Sequence, residues 1–309
     1  MLRGKRVLVT GGTGSFAHAF VERAIQEDPD RLVIFSRDEQ KQDAMQREFS
    51  HPSLRWFIGD VRDQSRLEMA MRGIEIVVHA AALKIIPSCE YNPFEAVSTN
   101  VHGAENVIRS SIRAGVGRIV ALSTDKACQP LNLYGATKLA AEKLFAAARN
   151  VVGGGSPLFT VVRYGNVVGS RGSVVPLYRA LIAENKPLPI TDTLMTRFWI
   201  TLEQAVDLVY LALEKGQGSD VIIPKIPSMN IVELAKAMGG DDYPIEIVGI
   251  RPGEKIYETL MTEDESRMSA EGASVFVLHP DYQNAMPAHS YNSRDNHQWL
   301  TREQLRAMI

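Results

Sequence analysis

With 309 residues, 45% of them hydrophobic, the chain is long enough to bury a large core. A formal net charge of -2, with Lys and Arg scattered along the sequence, offers no single-sign patch and argues against nucleic acid as a main partner. Two cysteines, Cys89 and Cys128, make neither a disulfide framework nor a metal-ligand spacing, and no apolar run nears the roughly 18 residues of a membrane span. The amino terminus leads straight into a strand without a signal peptide, so a cytoplasmic enzyme acting on a soluble substrate, away from membranes, is expected.

Lys5 to Thr10 predicts a short buried strand, and Gly11-Gly12-Thr13-Gly14-Ser15-Phe16 turns the chain into a helix beginning near Ser15. Glycines at such a turn let the backbone approach a pyrophosphate, whose charge the free amides of the helix start favour. Alone this is a weak signal, but here it follows a strand and opens a helix. Ala17 stands where a third glycine often allows close helix packing.

A second strand, Arg31 to Phe35, ends in Ser36-Arg37-Asp38. This end of a dinucleotide fold reads the adenosine ribose: an acidic residue accepts from a free 2'-hydroxyl, and an arginine suits a 2'-phosphate. Arg37 with Ser36 favours NADP, and Asp38 has the alternative of capping the next helix. A third strand, Arg55 to Gly59, delivers Asp60 and Val61 to the expected adenine edge. A fourth, Glu75 to His79, ends in Ala80-Ala81-Ala82, whose small side chains let backbone lie against the cofactor. His79 reads as an interior histidine. Lys84 is expected at the mouth of the crevice, within reach of phosphate or substrate, and a helix from about Pro93 to Ala114 carries Asn100 as a brace for the active-site backbone.

The densest chemistry lies between Ser123 and Lys138, directly after the apolar strand Arg118 to Leu122. Polar groups at the carboxyl end of such a strand point into the ligand crevice. Past Pro130 the pattern turns helical, so Tyr134 and Lys138 stand four apart on one face. A phenol with a pKa near 10 is a poor base at neutral pH, and an adjacent ammonium is expected to lower it. A bare Tyr-x-x-x-Lys is usually an ordinary amphipathic helix; the upstream glycine turn and the Thr124-Asp125-Lys126 triplet overturn that reading. Cys128 reads as a small packing residue.

After the strand Phe159 to Arg163 the strand–helix rhythm weakens. The expected architecture is therefore an α/β fold, a Rossmann-type doubly wound parallel sheet over residues 1–164 with a smaller lobe over 165–309 and some interleaving of the chain. Loops rich in Gly and Ser, with Arg171, Arg197 and Arg251 spaced along this half, offer amides and guanidinium donors for a nucleoside diphosphate. A helix is expected near Leu202 to Glu214. The tail from about Ala273 has mixed character and no assigned chemistry.

Taken together, these residues make the chain resemble the extended short-chain dehydrogenase/reductases, and within them the UDP-N-acetylglucosamine 4,6-dehydratases that invert carbon 5 and open pseudaminic acid biosynthesis. The resemblance runs from about Gly4 to Glu265. It rests on the glycine turn, Ser36-Arg37-Asp38-Glu39, Gly59-Asp60-Val61-Arg62-Asp63, Ser123-Thr124-Asp125-Lys126-Ala127, Asn132-Leu133-Tyr134-Gly135-Ala136-Thr137-Lys138, Arg163 through Ser173, Met195-Thr196-Arg197-Phe198-Trp199-Ile200 and Arg251-Pro252-Gly253-Glu254-Lys255.

The resemblance implies a hydro-lyase with an internal NADP redox cycle. Tyr134, helped by Lys138, would take the proton of the sugar 4-hydroxyl. Lys126 would take part in removing the hydrogen on carbon 5, Asp125 would protonate the departing 6-hydroxyl, and Thr124 would bind the sugar. It further implies cofactor contacts at Gly11, Thr13, Gly14, Ser15, Phe16, Ser36, Arg37, Asp38, Lys41, Asp60, Val61, Ala80, Ala82, Lys84, Tyr134 and Lys138. Sugar-nucleotide contacts are implied at Lys84, Thr124, Lys126, Asn166, Val167, Ser170, Arg171, Arg197, Arg251 and Glu254, with no metal and a homo-oligomer, dimer or hexamer. Retaining relatives commonly carry Asp-Glu where this chain has Asp125-Lys126. Ile85-Ile86 and Leu194 replace more polar residues around the expected sugar pocket. A retaining dehydratase or 4-epimerase of another nucleotide sugar is the neighbouring alternative, and a non-catalytic NADP-binding regulator is the alternative of another class.

Overall fold

Among the described residues nine strands form one sheet, whose seven parallel members set the frame for everything else. The computed structural model describes residues 1–153, 155–283 and 287–309. In chain order the strands are β1 (Arg6–Thr10), β2 (Arg31–Ser36), β3 (Leu54–Ile58), β4 (Ile76–His79), β5 (Arg118–Leu122), β6 (Leu158–Val162), β7 (Asn166–Val167), β8 (Leu188–Ile190), β9 (Thr196–Ile200), β10 (Val221–Pro224), β11 (Ser228–Asn230), β12 (Ile245–Ile247), β13 (Thr259–Met261), β14 (Ser269–Glu271), β15 (Val275–Leu278) and β16 (Tyr291–Asn292). The large sheet runs β14-β15-β10-β6-β5-β4-β1-β2-β3. It is parallel from β3 across to β10 and antiparallel only at β15 and β14. Strands β1, β2, β4 and β5 are almost continuously apolar and buried, as a sheet covered on both faces requires.

Strand order reverses between β1 and β4, and ligands of open α/β sheets bind at the carboxyl ends of strands flanking such a point. Helices Gln64–Ala70, Gly103–Ala114 and Leu133–Ala147 pack together on one side, while Ser15–Ile25 packs with Leu202–Lys215. The expected helix from Pro93 is present with an irregularity: α-helical over Pro93–Val97, π-helical over Ser98–His102, then α-helical again to Ala114. Such π segments cluster at functional sites because they re-aim side chains without ending the helix.

The second lobe has its own core. Val175, Tyr178, Leu188, Ile190, Trp199, Leu234 and Leu305 are buried together between helices Val174–Ala183, Ile231–Gly239 and Arg302–Met308 and the three-stranded sheet β11-β9-β7. The chain after Gly165 is not confined to this lobe. Val221-Ile222-Ile223-Pro224 is wholly buried and extends the large sheet beside β6, and β15 and β14 then close its edge. Strands β13 and β16 pair antiparallel and pack Leu260, Met261 and Tyr291 against the first core. The tail read as mixed strand and loop ends instead in a helix whose start is fixed by a capping box, Thr301 with Gln304.

Candidate active site

At the switch point β1 passes into a turn that has no room for side chains. Gly11 sits at φ +63°, and a Cβ there would lie 2.8 Å from the Ala81 backbone; one at Gly12 would lie 2.6 Å from Ile34. The helix Ser15–Ile25 begins at Gly14 without a side-chain cap, so its first amides stay free to face an anion. Thr13, Phe16 and Ala17 are buried beneath it. Half-buried Ala80 and Ala82 follow the end of β4, where the Ala80–Ala81 backbone lies against Gly11. A cradle of this shape fits a dinucleotide pyrophosphate.

At the end of β2 the carboxylate of Asp38 is engaged as a helix cap. It caps the helix Glu39–Glu48, accepting from the Lys41 amide at 3.0 Å and from Lys41 Nζ at 2.5 Å. Arg37 instead extends toward Asp60, 3.5 Å away. Asp60 is also held by Arg62, and these hydrogen bonds and charges outweigh the opposing effect of its burial, lowering its pKa. Gln42 fixes Ser36 from below by donating to both its hydroxyl and its carbonyl at 3.1 Å. Val61 is buried against Gly103, where a Cβ would come within 2.7 Å of its methyl group.

His79 is an interior residue, as expected. It is buried, its Nδ1 lies 2.8 Å from Thr10 Oγ1, and burial holds its pKa down at about 3, so it is neutral.

The end of β5 gathers the chemistry. Thr124 caps a single 3-10 turn, Asp125–Ala127, and Asn132 caps the helix Leu133–Ala147 by accepting from the Gly135 amide at 2.8 Å. Gly135 is obligatory there, since a Cβ would lie 2.2 Å from the Lys126 carbonyl oxygen. The two segments are thereby locked together, and Tyr134 is brought over Thr124, Asp125 and Lys126.

Asp125 is fully buried. One carboxylate oxygen, Oδ1, accepts from Thr124 Oγ1 and from Lys126 Nζ, both at 3.0 Å; the other, Oδ2, is buried without a partner. Lys126 Nζ also donates to Asn166 Oδ1 at 3.3 Å and stands 3.6 Å from Glu258 Oε1. Burial works to lower its pKa, but the charges of Asp125 and Glu258 outweigh this and raise it. Lys84, on the exposed rim, has its pKa lowered by partial desolvation and then by the charge of Lys126, so the two ammonium groups share one space.

One expectation is corrected. The expected lowering of the Tyr134 pKa is not seen; burial pushes the phenol up to about 12, and the groups that chiefly oppose this are Lys126 and a hydrogen bond with Thr124. Lys138 Nζ is turned toward the sheet and donates to the Leu122 carbonyl at 2.6 Å. Desolvation lowers its own pKa to about 8.

Around this centre lie braces, most of them invisible in the sequence. Asn100, from the π segment, donates to the Leu83 carbonyl at 2.9 Å and to Thr137 at 3.0 Å, and accepts from the Leu83 amide at 2.8 Å. It therefore fixes both the strand end before Lys84 and the Tyr134 helix. Beneath Thr124 runs a chain of buried polar groups: Ser123 donates to Glu142 at 2.8 Å, and Arg163 lies between Glu142 and Glu265. Cys128 is a packing residue beside Glu265, with its thiol pKa pushed up to about 12 by burial.

The second lobe reaches the centre through two segments. Asn132 Nδ2 donates to the Gly253 carbonyl at 2.9 Å and Lys255 Nζ to the Cys128 carbonyl at 2.6 Å, so Arg251–Lys255 is clasped to the loop that carries Tyr134. Glu254 accepts from the Arg251 amide, leaving the Arg251 guanidinium exposed. Arg171 lies across the glycine turn, its amide donating to Ser15 Oγ and its guanidinium to the Thr13 carbonyl, both at 3.2 Å. Ser170 and Val167 stand just before it, joined by a 3.3 Å hydrogen bond. Arg197 is buried and committed to the carbonyls of Thr196, Lys255 and Ile256, so it holds the Lys255–Ile256 backbone in place. Among the described residues no cluster of His, Cys, Asp and Glu could hold a metal, and no helix is long and apolar enough to cross a membrane.

Residues 7–280 match the family described as polysaccharide biosynthesis protein. The chain is 46% identical over its full length to the UDP-N-acetylglucosamine 4,6-dehydratase (inverting) of Campylobacter jejuni, covering 98% of that protein. The chain belongs to this family. A UDP-glucose 4-epimerase of Rickettsia akari is 44% identical, over 86% of this chain and 80% of its own length. The crystal structure of Pen from Bacillus thuringiensis superposes with a TM-score of 0.93 at 39% identity, covering 100% of this chain and 98% of that one. DesIV from Streptomyces venezuelae, a dTDP-glucose 4,6-dehydratase, shares the fold at a TM-score of 0.73 and 23% identity, over 81% and 86% of the two chains.

Glu258, Arg163, Glu142 and Glu265 are the site residues of this family member that sequence reasoning passed over. Arg163 opens one of the motifs quoted above but was given no role there, and no local motif marks Glu142, Glu258 or Glu265, because each acts through a partner remote in the chain. The one signal available was Arg163 itself, a charged residue closing the apolar run Phe159 to Val162, since charged residues are rarely buried unless paired.

Proposed function

We propose that the chain removes water across carbons 5 and 6 of UDP-N-acetylglucosamine, inverting carbon 5, with NADP held and recycled in the site. The observation that carries this is the buried Asp125–Lys126 pair beneath Tyr134, with Asp125 Oδ2 left without a partner. A 4-epimerase eliminates nothing and has no use for an acid and an amine side by side.

When bound, the nicotinamide supplies a reversible hydride acceptor for carbon 4 and donor for carbon 6. The glycine turn, the free amides at Ser15 and Phe16, Ala80, Ala82 and the ribose end at Ser36, Arg37 and Lys41 are the groups that hold such a cofactor. NADP is favoured because Asp38 spends its carboxylate on a helix cap while Arg37 stays exposed beside Asp60. Tyr134 takes the proton of the 4-hydroxyl, aided by Thr124 and the positive charge of Lys126. The 4-keto group acidifies carbon 5, Lys126 takes that proton, and Asp125 gives one to the departing 6-hydroxyl. Lys84 and Asn166 flank the sugar, and Arg171 and Arg251 are the guanidinium groups that meet its diphosphate. Lys138 anchors the Tyr134 helix to the end of β5. This reaction opens pseudaminic acid biosynthesis, in the cytoplasm, in a homo-oligomer.

Incubation with UDP-N-acetylglucosamine in deuterated water tests the reading. The expected product has lost one water and carries deuterium at carbon 5. A carbon-4 epimer with all its oxygen retained overturns the proposal, and nucleotide released from denatured protein identifies the cofactor directly.

A further inference from the structure

Nothing in the sequence pattern singles out Glu258, yet it is the second carboxylate on Lys126. It lies just before β13 and is 2% exposed. Its backbone is pinned to buried Ser293, whose Oγ accepts from the Glu258 amide at 3.0 Å and whose own amide donates to the Glu258 carbonyl at 2.8 Å. Oε1 stands 3.6 Å from Lys126 Nζ and 3.9 Å from Arg197 Nε; Oε2 stands 3.4 Å from Lys255 Nζ and makes no hydrogen bond.

Three cations surround this carboxylate, but two of them are occupied elsewhere. Arg197 is spread over three carbonyls, and Lys255 donates to the Cys128 carbonyl. Lys126 alone faces the reacting centre. A buried carboxylate with one oxygen free of hydrogen bonds is expensive as a purely structural device. Its field falls on Lys126, which otherwise meets Asp125 on one side and feels Tyr134, Lys84 and Arg197 on the others.

We propose that Glu258 is a positioning residue for Lys126: it holds Nζ between Asp125 and Asn166 and stabilises the ammonium formed when Nζ takes the carbon-5 proton. The inference rests on the dehydratase reading above. In that step the carbon-5–hydrogen bond breaks, a nitrogen–hydrogen bond forms on Lys126, and the electron pair passes into the enolate of the 4-keto sugar. The enolate then expels the 6-hydroxyl, which leaves as water with the proton of Asp125. The resting ammonium–carboxylate pair and the reactive amine–acid pair hold the same number of protons. They differ by one proton shift across the 3.0 Å contact between Lys126 and Asp125. Glu258 thus makes Lys126 the stronger base without changing the proton inventory of the site.

The test compares kcat and KM for UDP-N-acetylglucosamine across pH in the parent, Glu258→Gln and Glu258→Asp. At neutral pH Glu258→Gln is expected to lower kcat at least about tenfold, with KM changed less than about twofold. The limb of the profile that reports Lys126 should move to lower pH, and Glu258→Asp should recover part of both effects. A kcat that falls equally at every pH, with the limb unmoved, makes Glu258 merely structural and overturns the proposal.

A urea-unfolding cycle with Lys126→Met and Glu258→Gln, or Glu258→Asp should the glutamine variant not fold, gives a readout independent of turnover. Coupling of at least about fivefold in the folding equilibrium is expected, and additivity refutes the pairing. If the parent releases no water from the sugar nucleotide, the dehydratase reading fails instead, while the cycle still reports whether the two residues are coupled.

Discussion

Replacing Arg163 with methionine should remove the support under the active-site loop. The guanidinium is fully buried and donates to Glu142 through Nε at 3.0 Å and again through Nη2, to Glu265 at 2.8 and 2.7 Å, and to the Leu260 carbonyl at 2.8 Å. The substitution leaves Glu142 buried and unpaired, and removing one partner of a buried ion pair typically costs about 3–5 kcal/mol. Glu265 gives a second measure. Burial opposes its ionisation, but Arg163 overrides this and holds its pKa at about 2, against 4.5 for a free side chain, a shift worth on the order of 3 kcal/mol.

Because the folded-state value is depressed, that stabilisation is complete above the unfolded pKa of 4.5 and is lost as pH falls through about 2. Urea unfolding at pH 7 should therefore show Arg163→Met less stable by roughly 3–5 kcal/mol, and the gap should narrow steadily below pH 5. Adding Glu142→Gln should return part of the loss. A variant within about 1 kcal/mol of the parent at pH 7, or a gap that ignores pH, would refute the account.

Three further outcomes follow from the site. Tyr134→Phe should lower kcat by about 10²- to 10⁴-fold while the protein unfolds at an unchanged urea concentration, because it deletes the acid–base group and little packing. Gly11→Ala should release bound nucleotide on gel filtration, since its Cβ would stand 2.8 Å from the Ala81 backbone at φ +63°. His79 is neutral when folded, with a pKa of about 3 against 6.5 unfolded, so its contribution is complete above pH 6.5 and drains away as pH falls toward 3. The urea midpoint of His79→Gln should accordingly vary less between pH 6.5 and 4 than that of the parent.

The sheet, the glycine turn and the Tyr134 helix were legible because their signals are local: apolar runs five or six residues long, a glycine cluster between strand and helix, and a fourfold spacing. Asp38 was ambiguous in the sequence because the same carboxylate suits a ribose or a helix cap; the structure adds the cap and the Lys41 ammonium, neither of which spacing specifies. The effect of Lys138 on Tyr134 was misjudged for a related reason. Spacing places two residues on one helix face but does not say that Lys138 is drawn down to the Leu122 carbonyl. Arg163 and Glu265 lie 102 residues apart and Asn132 and Gly253 lie 121 apart, separations at which no periodicity carries information. The terminal helix went unread even though Thr301 and Gln304 offer a local signal, a capping box, for its start.

The clasp between Asn132 and Gly253, backed by Lys255 on the Cys128 carbonyl, makes the two lobes one mechanical unit at the point where the phenol is mounted. On the proposed reading, a sugar nucleotide held at Arg251 would load the same short lever that seats the first turn of the Tyr134 helix. A truncated ligand lacking the diphosphate would then forfeit turnover as well as affinity, because it leaves that lever unloaded.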